Sequence, residues 1–229
     1  MSRYEASLKL LALILKGRKY NVVEKQEVEF YIEDKRQPDQ QHILEVADSP
    51  GSFSLKIENP QKRQISILAT DGTGGVFQKT APPVRDESKF SYRWVTDFST
   101  GSLKDKIAGA CDCLMIDEKW RFIELKTEVL ESGYNDLAYA QKVAKQNRDK
   151  AEMQIARTMA FFKEQSEDKQ QKINAPFEAI LVVGPNFPST NAETLSRRLN
   201  FINRFEADLK EMQAFNKFDP KNSKGYLIE

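Results

Sequence analysis

Histidine occurs once in the 229 residues, at His42, and cysteine only twice. A single imidazole excludes any site built on paired histidines, and any Ser–His or Cys–His machinery would have to pass through it. Cys111 and Cys113 stand one residue apart, so on a strand both thiols point the same way. That spacing disfavours a disulfide between them, and two thiols are too few for a structural zinc site. A charge excess is missing as well: 35 basic against 34 acidic side chains give +1, which excludes a strongly basic nucleic-acid coat but leaves a local basic groove open. Long apolar runs are also absent. The longest, residues 10–15, is far too short to span a bilayer. Glu5 stands where a signal peptide would be basic and no small-residue cleavage site follows, so the reading is no membrane partner and a cytoplasmic location. What is present, 40% hydrophobic and 30% charged residues, is a globular composition. Most enzyme chemistry still open to this chain would therefore rest on carboxylates, lysines and a bound metal.

The chain shows no internal repeat. Residues 4–16 (YEASLKLLALILK) read as a short amphipathic helix with Leu8, Leu11, Ala12 and Leu15 at helical spacing, ended by Gly17. Residues 20–70 hold short β-rich runs separated by Pro-Asp, Ser-Pro-Gly and Asn-Pro-Gln turns. Residues 71–75 (DGTGG) and 81–83 (APP) open a long loop or insertion that carries one strand, 89–98. Beyond it, IAGACDCLMID and KWRFIELKTEV read as two strands joined at Asp117-Glu118-Lys119. A helix over 135–167 carries Ala151, Ile155, Met159 and Phe162 as its apolar stripe. Residues 177–184 (FEAILVVG) read as a strand buried on both faces. A last helix spans 190–214, with Thr190 and Glu193 as a capping box and Leu195, Leu199, Ile202, Phe205, Leu209 and Met212 as its stripe. The length suits one large or two small domains, and a boundary near 75–100 is conceivable. The reading adopted is a single α/β domain over 1–229. Its first part, 1–100, is the helix and β-rich half, and 101–229 holds the hairpin, long helix, buried strand and C-terminal helix.

The chemistry concentrates in the hairpin. With a three-residue turn centred on Glu118, Ile116 faces Trp120, and Asp112 falls opposite Glu124. Lys126 shares their face, because strand side chains on one side recur every second residue. Cross-strand neighbours have Cβ atoms ~5 Å apart. Two carboxylates that close repel unless a proton or cation lies between them. Mg²⁺ suits the gap, since it takes oxygen ligands and keeps several waters. An adjacent lysine can orient such a water and offset charge on a phosphate. The alternative is a solvated ion pair worth ~0–1 kcal/mol. Against it stand Trp120, Phe122 and Ile123, which place Glu124 in or beside a buried strand, where an unpaired charge is costly. A two- or four-residue turn would instead set Asp112 against Ile123 or Leu125.

The run CDCLMIDEKWRFIELKTE, followed by a helix carrying Gln154, resembles the PD-(D/E)XK nuclease superfamily. The core of that superfamily is a helix, a hairpin with the metal site, a helix and another strand. The phrases CD-x-L-x-I and F-I-E-L-K, with the later A-x-x-Q-I-x-x-T (Ala151, Gln154, Ile155, Thr158), are similar to small, mostly uncharacterised bacterial proteins of this type. The resemblance covers residues 104–184, with a weaker echo in LKIENPQKRQISILATDG. It implies a restriction-endonuclease-like core with helices flanking a mixed sheet. It further implies metal ligation (Mg²⁺ or Mn²⁺) by Asp112, Glu124 and the Leu125 carbonyl, with Lys126 positioning the attacking water. Gln154, and an acid on the first helix for which Glu5 is the candidate, would complete the site. Cys111 stands where the family often has proline, and residues 72–105 look like an insertion.

Other signals are less specific. Cys111 and Cys113 alternate with the ligand and read as small core residues. Lys142, Lys145, Arg148, Lys150 and Arg157 lie on the long helix, and Arg197, Arg198 and Arg204 on the last one. These either line a phosphate groove, with Lys150, Arg157, Arg197 and Arg198 as the nucleic-acid contacts, or form solvated helix faces. Residues 71–75 are no Walker loop, because no Gly-Lys-Ser/Thr follows. The expected activity is Mg²⁺-dependent cleavage of DNA by metal-activated water, with RNA or a nucleotide-derived molecule open to the same chemistry and a homodimer as a possible assembly. The alternative is a catalytically idle nuclease-like fold serving as a nucleic-acid-binding or protein-interaction module.

Overall fold

A computed structural model describes residues 1–15, 22–24, 32–33, 43–47, 54–58, 66–69, 111–126, 137–184, 187, 190–214 and 226–227. His42, the 71–75 and 81–83 segments, the insertion and its 89–98 strand lie outside the described residues. The hairpin forms as its alternation dictates. Strands β6 (Cys113–Ile116) and β7 (Trp120–Lys126) pair antiparallel with Ile116 opposite Trp120 and Cys113 opposite Ile123. The turn has three residues because Asp117 closes it: its Oδ1 accepts from the Lys119 N–H at 2.8 Å, an Asx turn.

Among the described residues five short strands precede the hairpin: β1 (Val22–Glu24), β2 (Ile32–Glu33), β3 (Ile43–Ala47), β4 (Ser54–Glu58) and β5 (Ser66–Ala69). Helix α1 (Arg3–Leu15) comes first in the chain; α2 (Leu137–Asp168), β8 (Phe177–Val183), α3 (Asn191–Phe205), β9 (Asp208–Gln213) and β10 (Tyr226–Leu227) follow the hairpin. The main sheet runs β1-β5-β6-β7-β8-β9, antiparallel as far as β7 and parallel from β7 to β9. Each parallel step is bridged by a helix, α2 and then α3, as parallel neighbours require. A second sheet, β10-β4-β3-β2, is built from the segment between β1 and β5 plus the strand nearest the C-terminus. The fold class is thus α/β, a mixed sheet with flanking helices.

One face of β6–β8 carries the core. Leu114, Ile116, Trp120, Phe122, Ala179 and Leu181 pack on Ala151, Ile155, Met159 and Phe162 of α2 and on Leu11 and Ile14 of α1. The Trp120 and Phe122 rings lie 5.3 and 6.0 Å from that of Phe162, so the C-terminal part of α2 covers the start of β7. From Ala151 to Phe162 α2 is buried on all sides. β8 is buried nearly throughout, because it lies between β7 and β9.

Two expectations are corrected. In α1 the buried line is Ser7–Leu11–Ile14, and Ala12 is exposed. Residues 8–15 are apolar almost all round, so periodicity alone does not fix the face that packs. The helix predicted over 190–214 ends at Phe205. Thr190 does cap it, accepting from the Glu193 N–H, but Glu206 turns left-handed (φ 55°), its N–H donating to Ile202, and the chain reverses into β9. Leu195 and Leu199 are therefore 56% and 52% exposed, whereas Phe201 and Phe205 face inward and Leu209 is buried from a strand. Pairing with β8 overrides the helical spacing of 209 and 212.

Candidate active site

Asp112 lies just outside the β6 ladder, and continuing the observed register by one step sets it opposite Glu124. Its Oδ2 accepts the N–H of Leu125, which fixes the carboxylate against the C-terminal end of β7. On the preceding residue, the Cys111 N–H donates to Thr158 Oγ1 at 2.9 Å, tying this corner to α2. Glu124 occupies a central strand, between β6 and β8, and is 0% exposed. Lys126, on the same face two residues on, is only part-buried, and its Nζ pairs with Glu124 Oε1 and lies 3.5 Å from the Leu125 carbonyl. Glu124 Oε2 is buried and has no hydrogen-bond partner among the described residues. A carboxylate oxygen in that condition is costly, and native structures rarely leave one so.

These residues form a set of hard oxygen donors at the end of β7, with one ammonium beside them. Among the described residues no group of three or more His, Cys, Asp or Glu side chains is arranged to hold a metal. The set is two carboxylates, with Glu124 Oε2 buried and without a hydrogen bond among the described residues. It fits Mg²⁺, which commonly takes one or two protein carboxylates and fills its other positions with water and substrate phosphate.

Gln154 is buried on α2 one turn ahead of Thr158, and its backbone carbonyl accepts the Thr158 hydroxyl at 2.8 Å. Glu5 is exposed on α1. It forms a reciprocal cap with Ser2 at the start of α1, the Ser2 N–H donating to Glu5 Oε2 at 2.9 Å and the Glu5 N–H to Ser2 Oγ at 3.1 Å. The S-x-x-E spacing of residues 2–5 carries that signal. Cys111 and Cys113 are buried and form no disulfide, as small core residues would be.

The four nucleic-acid candidates separate. Lys150 is exposed, as are Lys142 and Lys145 on the same N-terminal half of α2. Arg157 lies in the all-round buried stretch and is not a surface cation. Arg197 is held by Glu152 at 2.7 Å, Asp149 at 2.8 Å and Glu193 at 3.3 Å, clamping α3 to α2. Burial pushes the Glu152 carboxyl up, against the opposing pull of Arg197, and these carboxylates hold Arg197 firmly charged. Arg198 grips Asp208 through two nitrogens, at 2.5 and 2.9 Å. Arg148, also buried, is bidentate to Glu211 at 2.7 and 2.8 Å with its guanidinium 4.5 Å from the Phe187 ring.

Sequence reasoning missed a second charged cluster at the start of β7, on the opposite face. Arg121 Nε lies 2.8 Å from Glu178 Oε2 and its Nη1 pairs with Asp117, while Lys210 and Lys119 meet Glu178 Oε1 at 2.6 and 3.7 Å. The available signal was an arginine set between the apolar Trp120 and Phe122, which must find a partner if buried. No helix among the described residues is long and apolar enough to cross a membrane. Comparison with family models, with curated proteins and with solved structures yields no match to this chain.

Proposed function

We propose that this chain is a metal-dependent nuclease with a restriction-endonuclease-like core, hydrolysing phosphodiester bonds in DNA. The carrying observation is the orphaned Glu124 Oε2, buried beside Lys126 and across the register from Asp112. The order α1, β5–β6–β7 meander, α2, β8 supports the reading, since it follows the helix–hairpin–helix–strand plan of that core. A bound Mg²⁺ or Mn²⁺ would lower the pKa of water and offset charge on the phosphate. Asp112 and Glu124 would hold that cation together with the Leu125 carbonyl. Lys126, whose ammonium is held on the Glu124 carboxylate, orients the attacking water and stabilises negative charge on the phosphoryl oxygens. Lys142, Lys145 and Lys150 offer exposed charge for the phosphate backbone, which makes binding weak and salt-sensitive.

The rival reading, an idle fold acting as a nucleic-acid-binding or protein-interaction module, draws on the same ion pair, because Lys126 already balances one oxygen of Glu124. Cleavage separates the two. Plasmid, single-stranded DNA and RNA are incubated with Mg²⁺ or Mn²⁺ and wild type, Lys126→Ala or Glu124→Ala. Metal-dependent DNA cleavage that falls by about 10²-fold or more in both variants is the expected result. No cleavage in any condition, or equal cleavage by all three proteins, would leave the binding-module reading standing.

A further inference from the structure

Thr158 has no part in the chemistry just described, yet its hydroxyl reaches from α2 to the residue before Asp112. Three facts define its position. Among the described residues the ladder of β6 begins at Cys113, one residue past Asp112. The Cys111 N–H donates to Thr158 Oγ1 at 2.9 Å, and both residues are buried. Thr158 Oγ1 in turn donates to the Gln154 carbonyl at 2.8 Å, one helical turn back. That second bond commits the hydroxyl proton and sets the rotamer, so the oxygen lone pairs are left directed at the Cys111 amide.

We propose that Thr158 is a positioning residue for Asp112, holding the 111–112 corner against α2 so that the Asp112 carboxylate meets Glu124 in the geometry a cation needs. Two of the bonds that hold the corner are Thr158 on the Cys111 amide and the Leu125 N–H on the Asp112 carboxylate. Removing the hydroxyl removes the first of these while leaving every carboxylate in place. The inference rests on the reading of Asp112 and Glu124 as cation ligands, and its test tells the two failures apart.

Mn²⁺ binding is measured by titration calorimetry on wild type, Thr158→Val, Thr158→Ser and Phe205→Leu, with melting temperature in EDTA recorded for each. Valine matches the shape of threonine without the hydroxyl, serine keeps the hydroxyl, and Phe205→Leu loosens α3 away from the corner. The expected result is a ~10- to 100-fold weaker affinity for Thr158→Val, the loss typical when a group orienting a ligand is removed. Thr158→Ser should remain within about threefold of wild type, and Phe205→Leu should lower the melting temperature without changing affinity. Affinity of Thr158→Val equal to wild type, whatever its melting temperature, overturns the positioning role while leaving the cation site intact. Wild type that binds no Mn²⁺ overturns the cation site and the role of Thr158 with it.

Discussion

Glu124 and Glu178 are both buried glutamates on adjacent parallel strands of one sheet, and they are treated in opposite ways. Glu178, near the start of β8, has both oxygens engaged: Oε2 by Arg121, Oε1 by Lys210 and Lys119. Glu124, toward the end of β7, has Oε1 on Lys126 and Oε2 buried without a hydrogen bond among the described residues. Burying a carboxylate is tolerable when cations and donors surround it, and a half-satisfied one is costly. A sheet able to satisfy Glu178 completely has evidently not been built to satisfy Glu124. The first cluster reads as structure and the second as a site. In parallel-stranded sheets, ligands lie beyond the carboxyl ends of the strands, which is the end Glu124 and Lys126 occupy.

The contrast can be broken most forcefully at Glu178. Glu178→Gln removes the carboxylate charge that the buried Arg121 Nε meets, and urea unfolding should show a loss of about 3–5 kcal/mol. Glu124→Gln keeps an acceptor for Lys126 and removes a charge that is balanced on one oxygen only. The same measurement should register about 1 kcal/mol or less, even as metal-dependent cleavage disappears. Equal losses at the two positions would erase the distinction.

Glu152 sharpens the comparison from a third direction. Desolvation raises its carboxyl, with Arg197 opposing. The folded state therefore binds the proton more tightly than the unfolded chain. The stability this provides is fully present below the unfolded value and is lost as pH rises through the folded one. Stability of Glu152→Gln should hence fall less than that of wild type as pH rises above 4.5, as thermal melts across that range would record. The smallest effect belongs to Arg198, an exposed residue bound to Asp208. Arg198→Ala should change stability by about 0.5 kcal/mol or less and leave the salt dependence of DNA binding unaltered in filter-binding assays.

Much of this arrangement was legible because local rules decided it. The alternation around Asp117–Lys119 fixed the hairpin register, since a one-residue slip would have turned Trp120 and Phe122 out of the core. The stripe from Ala151 to Phe162 and the apolar run of β8 had single interpretations for the same reason. What escaped depended on tertiary partners. The stop after Phe205 uses Glu206 in a left-handed conformation where glycine would have signalled it, and β9 forms only because β8 offers an edge. Arg157, Arg197 and Arg198 look like groove cations in one dimension, but burial removes the first and nearby carboxylates hold the other two. Thr158 was visible in the sequence as part of a motif, yet its bond to Cys111 spans 47 positions and no spacing rule reaches that far.

The central claim is that the Glu124 end of the sheet is a cation site and the Glu178 end is not. Titration of Mn²⁺ into wild type, Glu124→Gln and Glu178→Gln, each shown folded by circular dichroism, tests it directly. The account predicts binding by wild type, unchanged binding by Glu178→Gln and none by Glu124→Gln. Absence of binding in wild type, or binding by Glu124→Gln as tight as wild type, would contradict it.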